Sequence, residues 1–579
     1  MADPVAGTVE PAGGATASKR TDLRLVPAVL VTWSVALAGA FIDAAWSASV
    51  AGVLAVVGGL LLVGARRRGA ASVRAGTMAA TLALACVLGA AVAVHCAVVA
   101  NTRETGPLSE AVARGGGVFI QLLVTGMPAE VPTPSQSGGN RWSVTATSLE
   151  LTSNGTVIRG SAEVMVVGGT GWQDVRPGQS IRTSGTLKAV REGQTQAALL
   201  SASSAPIIMT SAFDVRRSAG EVRRQFVAAS SWLPPDAAGL MPGMVTGDTT
   251  ALLESLEADM KTTGMTHLTA VSGANCSLVL GGFILLARCL RLTRPVAGVL
   301  AACGLMAFVV MVGPDPSVLR AAVMGTVGLA ALIGGLRGRS LTFLCLATIV
   351  LLLLDPSMAA NVGFLLSVLA TLGIVLLATR VASWMPSSVP RWLAAGVAVP
   401  LSAQLLCGPV IVALQPQCTP YALIANVVAG PLVAPVTILG TIAVPLAATL
   451  PWLAVVPIAV AGTCAGAVAG LARFFAHMPG AALPWAEGPA GVVAMATMSL
   501  LSIPIVWMLL HPAGVWGRVL GVHHIIVLLL ERGVITKHGR LEACKETSGR
   551  NYQWLLPKTP GPRASRRIPS AGVMRRRPP

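Results

Sequence analysis

What most limits this chain is a succession of apolar blocks, each close to the length of a membrane-crossing helix. They fall near residues 25–42, 47–65, 77–100, 267–287, 296–312, 317–335, 340–354, 359–379, 393–413, 420–449, 453–475 and 490–510. A helix needs roughly 20 apolar residues to cross the hydrocarbon core of a bilayer. Charged residues make up only 11% of the chain, where a soluble domain carries roughly 25%, so these blocks are not the cores of soluble domains. The expected fold class is a polytopic α-helical membrane protein of about 11–12 spans. Only one long stretch, after Asn101, interrupts the pattern.

The net charge of +18 is unevenly spread. Residues 101–266 hold thirteen Lys/Arg against fourteen Asp/Glu, whereas the tail after Leu510 holds thirteen against three. Much of the rest sits in short loops: Arg66, Arg67 and Arg68; Arg288, Arg291 and Arg294; Arg337 and Arg339; Arg380 and Arg391. Short basic loops mark the cytoplasmic side. The charge therefore reports topology before it reports nucleic acid. The first 20 residues are rich in Ala, Gly and Pro and lack the apolar core of a signal peptide. None of the ten cysteines lies between Asn101 and Thr266, which excludes a disulfide framework there.

The RRR triplet after the second block directs the third outward, so the stretch after Asn101 is expected outside the cytoplasm. Residues 117–126, 141–153, 156–169, 180–190 and 196–204 read as short strands rich in Val, Thr and Ile. Five short strands suggest a small barrel of the OB type. Such a barrel either binds single strands through aromatics, here Phe119, Trp142 and Trp172, or serves as a scaffold over a channel mouth. Residues 206–266 read as helical and amphipathic.

Polar residues at membrane depth need a reason. The sequence HLTAVSGAN opens the fourth apolar block. On one continuous helix, Asn275 falls about 80° and Ser272 about 140° from His267, so the three share a side. They line a hydrated path or bond to neighbouring helices. Gly273 permits close approach of a helix or ligand. In GPDPSVLRA, Asp315 is a good N-cap and Pro316 a good first residue. Arg320, one turn in, either meets a phosphate or snorkels to the interface and pairs with Asp315. Gln404 and Asn426 add polar groups on other spans, and Asn361, Gly363 and Ser367 open another. Prolines crowd residues 413–457, which read as one long span, two half-spans or two full spans. A lone histidine without a neighbouring Cys, Asp or Glu is a poor metal ligand, so no metal or cofactor is expected. No GxxxxGK[ST] loop for a nucleotide occurs either.

Four stretches in order resemble the ComEC family of competence proteins: THLTAVSGAN (266–275), DPSVLRAAVM (315–324), NVGFLLSVLATLGI (361–374), and PLSAQLLCGPV (400–410) followed by IANVVAGP (424–431). The resemblance covers roughly residues 25–510. It implies a plasma-membrane channel that passes single-stranded DNA into the cytoplasm of a bacterium during transformation. The channel path would include His267, Ser272, Gly273, Asn275, Arg320, Gln404 and Asn426. It further implies partners: an external DNA receptor, a cytosolic translocase and single-strand-binding proteins, with a homo-oligomer left open. Many relatives carry a second histidine where this chain has Asn275. Many also continue into a metallo-β-lactamase-like domain. Residues 511–579 contain His511, His523, His524 and His538 but no HxHxDH motif, so no enzyme activity is expected. The competing expectation is a secondary transporter or exporter of a small solute.

The expected organisation is then a disordered cytoplasmic N-terminus (1–24), three leading transmembrane helices (25–100), an extracytoplasmic OB-like β domain (101–205), and an amphipathic helical linker (206–264). A competence-type transmembrane domain (265–510) and a basic, largely disordered tail (511–579) complete it.

Overall fold

The computed structural model describes residues 22–511, apart from 69–72, 106–110, 113–116, 127, 132–140, 154–155, 177, 190–195, 210–214, 270, 272, 314–315 and 334–339. Residues 1–21 of the expected N-terminal tip and all of the tail beyond His511 lie outside the described residues. The chain divides into two compact units, 1–504 and 505–579. In the second, Trp507 stacks on His511 with ring centroids 5.2 Å apart.

Three helices lead the chain: α1 (Val26–Gly39), α2 (Ala44–Arg68) and α3 (Val73–Glu104). In α2 and α3 the long apolar runs are uninterrupted by proline, so nothing breaks the backbone ladder before the bilayer is crossed.

The β domain follows as β1 (Gly117–Val124), β2 (Ala129–Val131), β3 (Arg141–Ser153), β4 (Thr156–Arg159), β5 (Glu163–Gly168), β6 (Ser180–Lys188), β7 (Ala198–Ala202) and β8 (Ile207–Met209). Five of these close a barrel in the order β1-β3-β5-β7-β6, because β6 also pairs β1. Among the described pairings of the ring, only β5–β7 is parallel. Full closure leaves the ring without an edge. The alternation in β1 turns Val118, Ile120, Leu122 and Val124 inward, where they meet Leu151, Ile181 and Leu200.

Two sequence expectations change here. The expected strand 156–169 divides into β4 and β5, because the chain between them is captured by Ser148. Its hydroxyl donates to the Gly160 carbonyl at 2.7 Å and accepts from the Ala162 amide at 3.1 Å. Trp172, one of the three aromatics named for strand binding, is a core residue 1% exposed, its indole N–H directed at the Ser204 carbonyl at 3.4 Å. It offers no surface for base stacking, whereas Phe119 remains exposed.

The helical remainder comprises α4 (Val215–Ser230), α5 (Pro235–Thr246), α6 (Glu254–Thr262), α7 (Gly273–Cys289), α8 (Arg294–Val312), α9 (Pro316–Ile333) and α10 (Ser340–Leu354). It continues with α11 (Val362–Trp384), α12 (Arg391–Leu414), α13 (Ala422–Thr449), α14 (Pro451–Ala476) and α15 (Gly488–Leu510). Eight of the described helices, namely α2, α3, α8 and α11–α15, are long and apolar enough to cross a bilayer. Three shorter apolar helices lie at Val26–Gly39, Asn275–Cys289 and Ser340–Leu354. Within the proline-rich region 413–457 lies one long helix, α13, between the end of α12 and the start of α14. α13 runs unbroken through Pro431, Pro435 and Pro445, and Pro451 opens α14.

Without water between helices, close packing and polar bonds must hold a membrane bundle together. The α13–α14 pair does this with small residues, among them Ala425, Ala429, Ala443, Ala461, Ala465 and Ala469. Elsewhere Trp33 of α1 stacks on Phe364 of α11 at 4.9 Å. His95 of α3 hydrogen-bonds the Leu353 carbonyl of α10 at 3.0 Å, so the leading helices join the later block.

The expected 206–264 linker is not of one kind. Ile207–Met209 still belong to the sheet, as β8. α4 is amphipathic, but α5 buries every residue from Gly239 to Thr246 in the α13–α14 core. Leu233, just before α5, sits against Gly462, where a Cβ would come within 2.5 Å of it. At the other end Val245 sits against Gly440, where a Cβ would come within 2.3 Å. Both glycines lie near the middles of their helices. A short helix is thus lodged at mid-depth of the bundle, tolerated there because protein rather than lipid surrounds it.

Candidate functional site

The structure places the polar positions of the HLTAVSGAN stretch differently from one continuous helix. His267 falls in a 3-10 turn, Thr266–Leu268, and α7 starts only at Gly273. Thr269 and Val271, between the two, are not helical, so the helical projection that put His267, Ser272 and Asn275 on one side does not apply. His267 is exposed and its ring lies against the Gly264 backbone. Ser272 lies outside the described residues. Gly273 is exposed, with Ala321 of α9 at ordinary contact distance from where its Cβ would be.

Asn275 is 3% exposed. Its amide nitrogen donates to the Met244 carbonyl at 2.8 Å, and its oxygen accepts from the Thr437 hydroxyl at 3.1 Å. Asparagine offers both a donor and an acceptor, so one side chain can join α5, α7 and α13. Gly243 permits this arrangement, since a Cβ there would lie 2.7 Å from the Thr269 carbonyl oxygen. The motif loop therefore lies directly on the last turn of α5.

Asn426 is near the start of α13. Its amide donates to the Ala422 carbonyl at 2.8 Å and reaches the Gly264 carbonyl at 3.5 Å. His267 and Asn426 thus converge on Gly264, although 159 positions separate them in the sequence (426 minus 267). Arg320 belongs to the first turns of α9; its side chain, and Asp315, lie outside the described residues. Val271, Cys276 and Val279 pack with Val318 and Ala321, so the first two motifs share one cluster. Gln404 is exposed on α12 and is not part of this group. Asn361 acts as a cap: its side-chain oxygen accepts from the Phe364 amide at 3.0 Å at the start of α11.

Two arginines enter the picture that no sequence pattern announced. Arg473, in the last turn of α14, grips Asp236 at the start of α5 with two bonds, Nε to Oδ2 at 2.8 Å and Nη2 to Oδ1 at 2.7 Å. Its Nη1 donates to Asp259 of α6 at 3.2 Å. Arg223 of α4 is 6% exposed and donates to the Val312 carbonyl at 2.7 Å. There a cation meets the negative end of α8, where the last carbonyls lack helical partners. A lone arginine in a span, and an aspartate soon after a proline pair, were the available signals. Neither names its partner.

Among the described residues no three His, Cys, Asp or Glu side chains gather to hold a metal ion. What the arrangement offers is polar bonding at depth and a cationic clamp at one end of α5.

Comparison with known proteins adds to this geometry. The family model described as "Competence protein" matches residues 244–510, opening inside α5. The ComE operon protein 3 of Bacillus subtilis (strain 168) is 35% identical over 147 residues, 25% of this chain and 19% of that protein. The chain thus matches only a small part of that relative's length. No solved structure matches. Residues 244–510, with the motif loop, α7–α9 and the α13–α14 pair inside them, are thus similar to the competence protein family, the ComEC-type membrane proteins that the four motifs resemble.

Proposed function

We propose that this protein is the channel by which single-stranded DNA enters the cytoplasm during natural transformation, in the plasma membrane of a bacterium. The observation that carries the reading is the competence-family match over 244–510, which coincides with the helices around the motif loop. On this view Asn275 and Asn426, whose amides bond Met244, Thr437, Ala422 and Gly264, hold the helices around the path together and do not line it. In this reading the β barrel stands outside the cytoplasm, near the mouth. Arg320 meets passing phosphates from the start of α9, where free backbone N–H groups also favour anions. An external receptor delivers DNA, another protein degrades the second strand, and a cytosolic translocase and single-strand-binding proteins receive the product. The protein itself does no chemistry on DNA. A solute transporter is the competing reading, favoured by the short mid-depth helix α5, since broken helices also form small-molecule sites.

Strand-labelled DNA offered to cells with and without the gene separates the two. The channel reading expects one strand to become nuclease-resistant only when the gene is present; equal uptake in both strains overturns it. Arg320→Ala should lower uptake while protein abundance in membranes holds, with partial recovery in Arg320→Lys, which keeps the charge and loses the planar fork. Uptake unchanged by alanine removes the phosphate role. Purified protein should show no chelator-sensitive DNA cleavage above a mock preparation.

A further inference from the structure

We propose that Arg223 is a positioning residue: it fixes the end of α8 and, through the short connection to α9, sets where Arg320 is presented. The inference rests on the reading of Arg320 as a phosphate contact, and extends it to what holds that contact in place.

Arg223 and Arg224 are neighbours on α4 with opposite fates. The Arg224 side chain is 65% exposed and pairs with Glu221 on its own helix. Arg223 turns inward and is 6% exposed. Burying a cation is costly unless strong bonds meet it. The Val312 carbonyl supplies a charge-assisted one at 2.7 Å. Val312 is the last residue of α8, and the negative end of a helix favours a cation. The guanidinium also covers the next residue. Gly313 is buried, with a φ of 106° that suits glycine. A Cβ there would lie 3.1 Å from Arg223 Nη1 and 4.0 Å from its Cζ. The arginine head therefore occupies the side of Gly313 on which another residue would carry its side chain.

Two packed clusters meet at this point. On one side, Phe226 and Val222 of α4 pack into the α13–α14 cluster. On the other, Val312 shares a cluster with Val318 and Ala321 of α9, and with Val271 and Cys276 of the motif stretch. Met311 packs against both clusters. Apolar contact is not directional, so it brings these helices together without fixing the end of α8 in one place. The Arg223 bond is directional and ties that end to α4. Only three residues, 313–315, separate α8 from α9, and Arg320 lies in the first turns of α9. A shift at Val312 is therefore carried to the start of α9, and with it to Arg320.

The test titrates full-length protein in lipid nanodiscs with a fluorescent single-stranded oligothymidine over a range of salt. Loss of one phosphate contact lowers the salt slope of single-strand binding by about 0.7, and the affinity about fourfold at about 0.15 M salt. Arg320→Ala should do both. Arg223→Met keeps the long apolar stem but loses donor and charge. It should match Arg320→Ala, and the combined variant should lose nothing more. Arg223→Lys keeps donor and charge and should restore most of the binding. Gly313→Ala disturbs the same contact with Arg223 intact, and should match Arg223→Met. Arg224→Met should change neither affinity nor slope. A further fourfold loss in the combined variant means that Arg223 acts apart from Arg320 and overturns the positioning role. So does an effect of Arg224→Met equal to that of Arg223→Met, which would make Arg223 one charge among several. Absence of both Arg223→Met and Gly313→Ala from membranes would leave Arg223 a folding role alone, and overturns the inference as well. All three outcomes leave the channel reading standing. Binding unchanged by Arg320→Ala removes the phosphate contact, and wild-type protein that does not bind the oligonucleotide overturns the DNA reading; the inference falls with either.

Discussion

The β barrel and the α13–α14 wall are both well buried, yet they are built differently. The barrel is filled by Ile120, Leu122, Leu151, Trp172, Ile181 and Leu200. Around α5 the α13–α14 side is largely Ala, Gly and Val and receives the larger Leu240, Met241 and Met244 of α5, with Asn275, Thr437 and Arg473 adding polar bonds. In water, removing large apolar surface is the main driving force. In lipid that force between helices is absent, so backbones must approach closely and polar bonds must supply direction. The difference predicts which kind of substitution each region tolerates.

The largest effect is expected from adding bulk to the helical core. Gly440→Leu would drive a side chain into Val245, whose nearest carbon lies 2.3 Å from the position of the new Cβ. Overpacking of this kind costs about 3 kcal/mol, and most of the folded protein should vanish from detergent extracts in a thermal-stability assay. Val245→Ala should recover part of it. Recovery by a distant substitution but not by Val245→Ala would break the comparison.

The barrel should fail the opposite way, by loss of bulk. Ile120→Ala removes a side chain 1% exposed and should cost about 3 kcal/mol. Limited proteolysis should then cut within residues 117–209 while the helices stay protected. Cleavage spread equally over both regions would show that the barrel has no core of its own.

These two regions were unequally legible. Richness in Val, Thr and Ile announced residues 117–126 and the other strands, because strand composition is local. The division between β4 and β5 was hidden, since it depends on Ser148 reaching across the sheet. Span positions were readable because each answers to bilayer thickness alone. α5 was not: its glycines, prolines and methionines carry no period, and its burial is set by Gly440 and Gly462, hundreds of positions away. At the site, Asn275 and Asn426 were visible as polar residues in apolar runs, but their partners were not. Arg473 and Asp236 are 237 positions apart, and nothing local couples them.

A smaller effect tests the polar half of the comparison. Thr437→Val keeps shape and removes the donor to Asn275. Interhelical hydrogen bonds in membranes are worth about 1 kcal/mol, so melting should fall slightly while Gly440→Leu remains far worse. If Thr437→Val proved as damaging as Gly440→Leu, polar bonding rather than close packing would hold α5.

The smallest effect separates the two solvents. Phe119 on the barrel and Leu285 on α7 are exposed to similar degrees, 64% and 62%. For Phe119 the solvent is water, and an exposed apolar side chain there contributes little. Phe119→Ser should change barrel stability by less than about 0.5 kcal/mol. For Leu285 the solvent is hydrocarbon, and equal exposure has the opposite meaning. A leucine favours insertion by up to about 0.6 kcal/mol at the centre of a span and by less at Leu285, one turn from the end of α7, and a serine forfeits that gain while placing a hydroxyl in lipid. Leu285→Ser should therefore reduce membrane insertion modestly, although Phe119→Ser is the more drastic change in size. Both can be read in one experiment, by comparing the membrane-integrated fraction with the protease resistance of the barrel for each variant. Insertion that responds equally to the two serines would mean that Phe119 also faces lipid. The barrel would then rest on the bilayer, and the contrast between a water-built and a lipid-built core would hold only for their interiors.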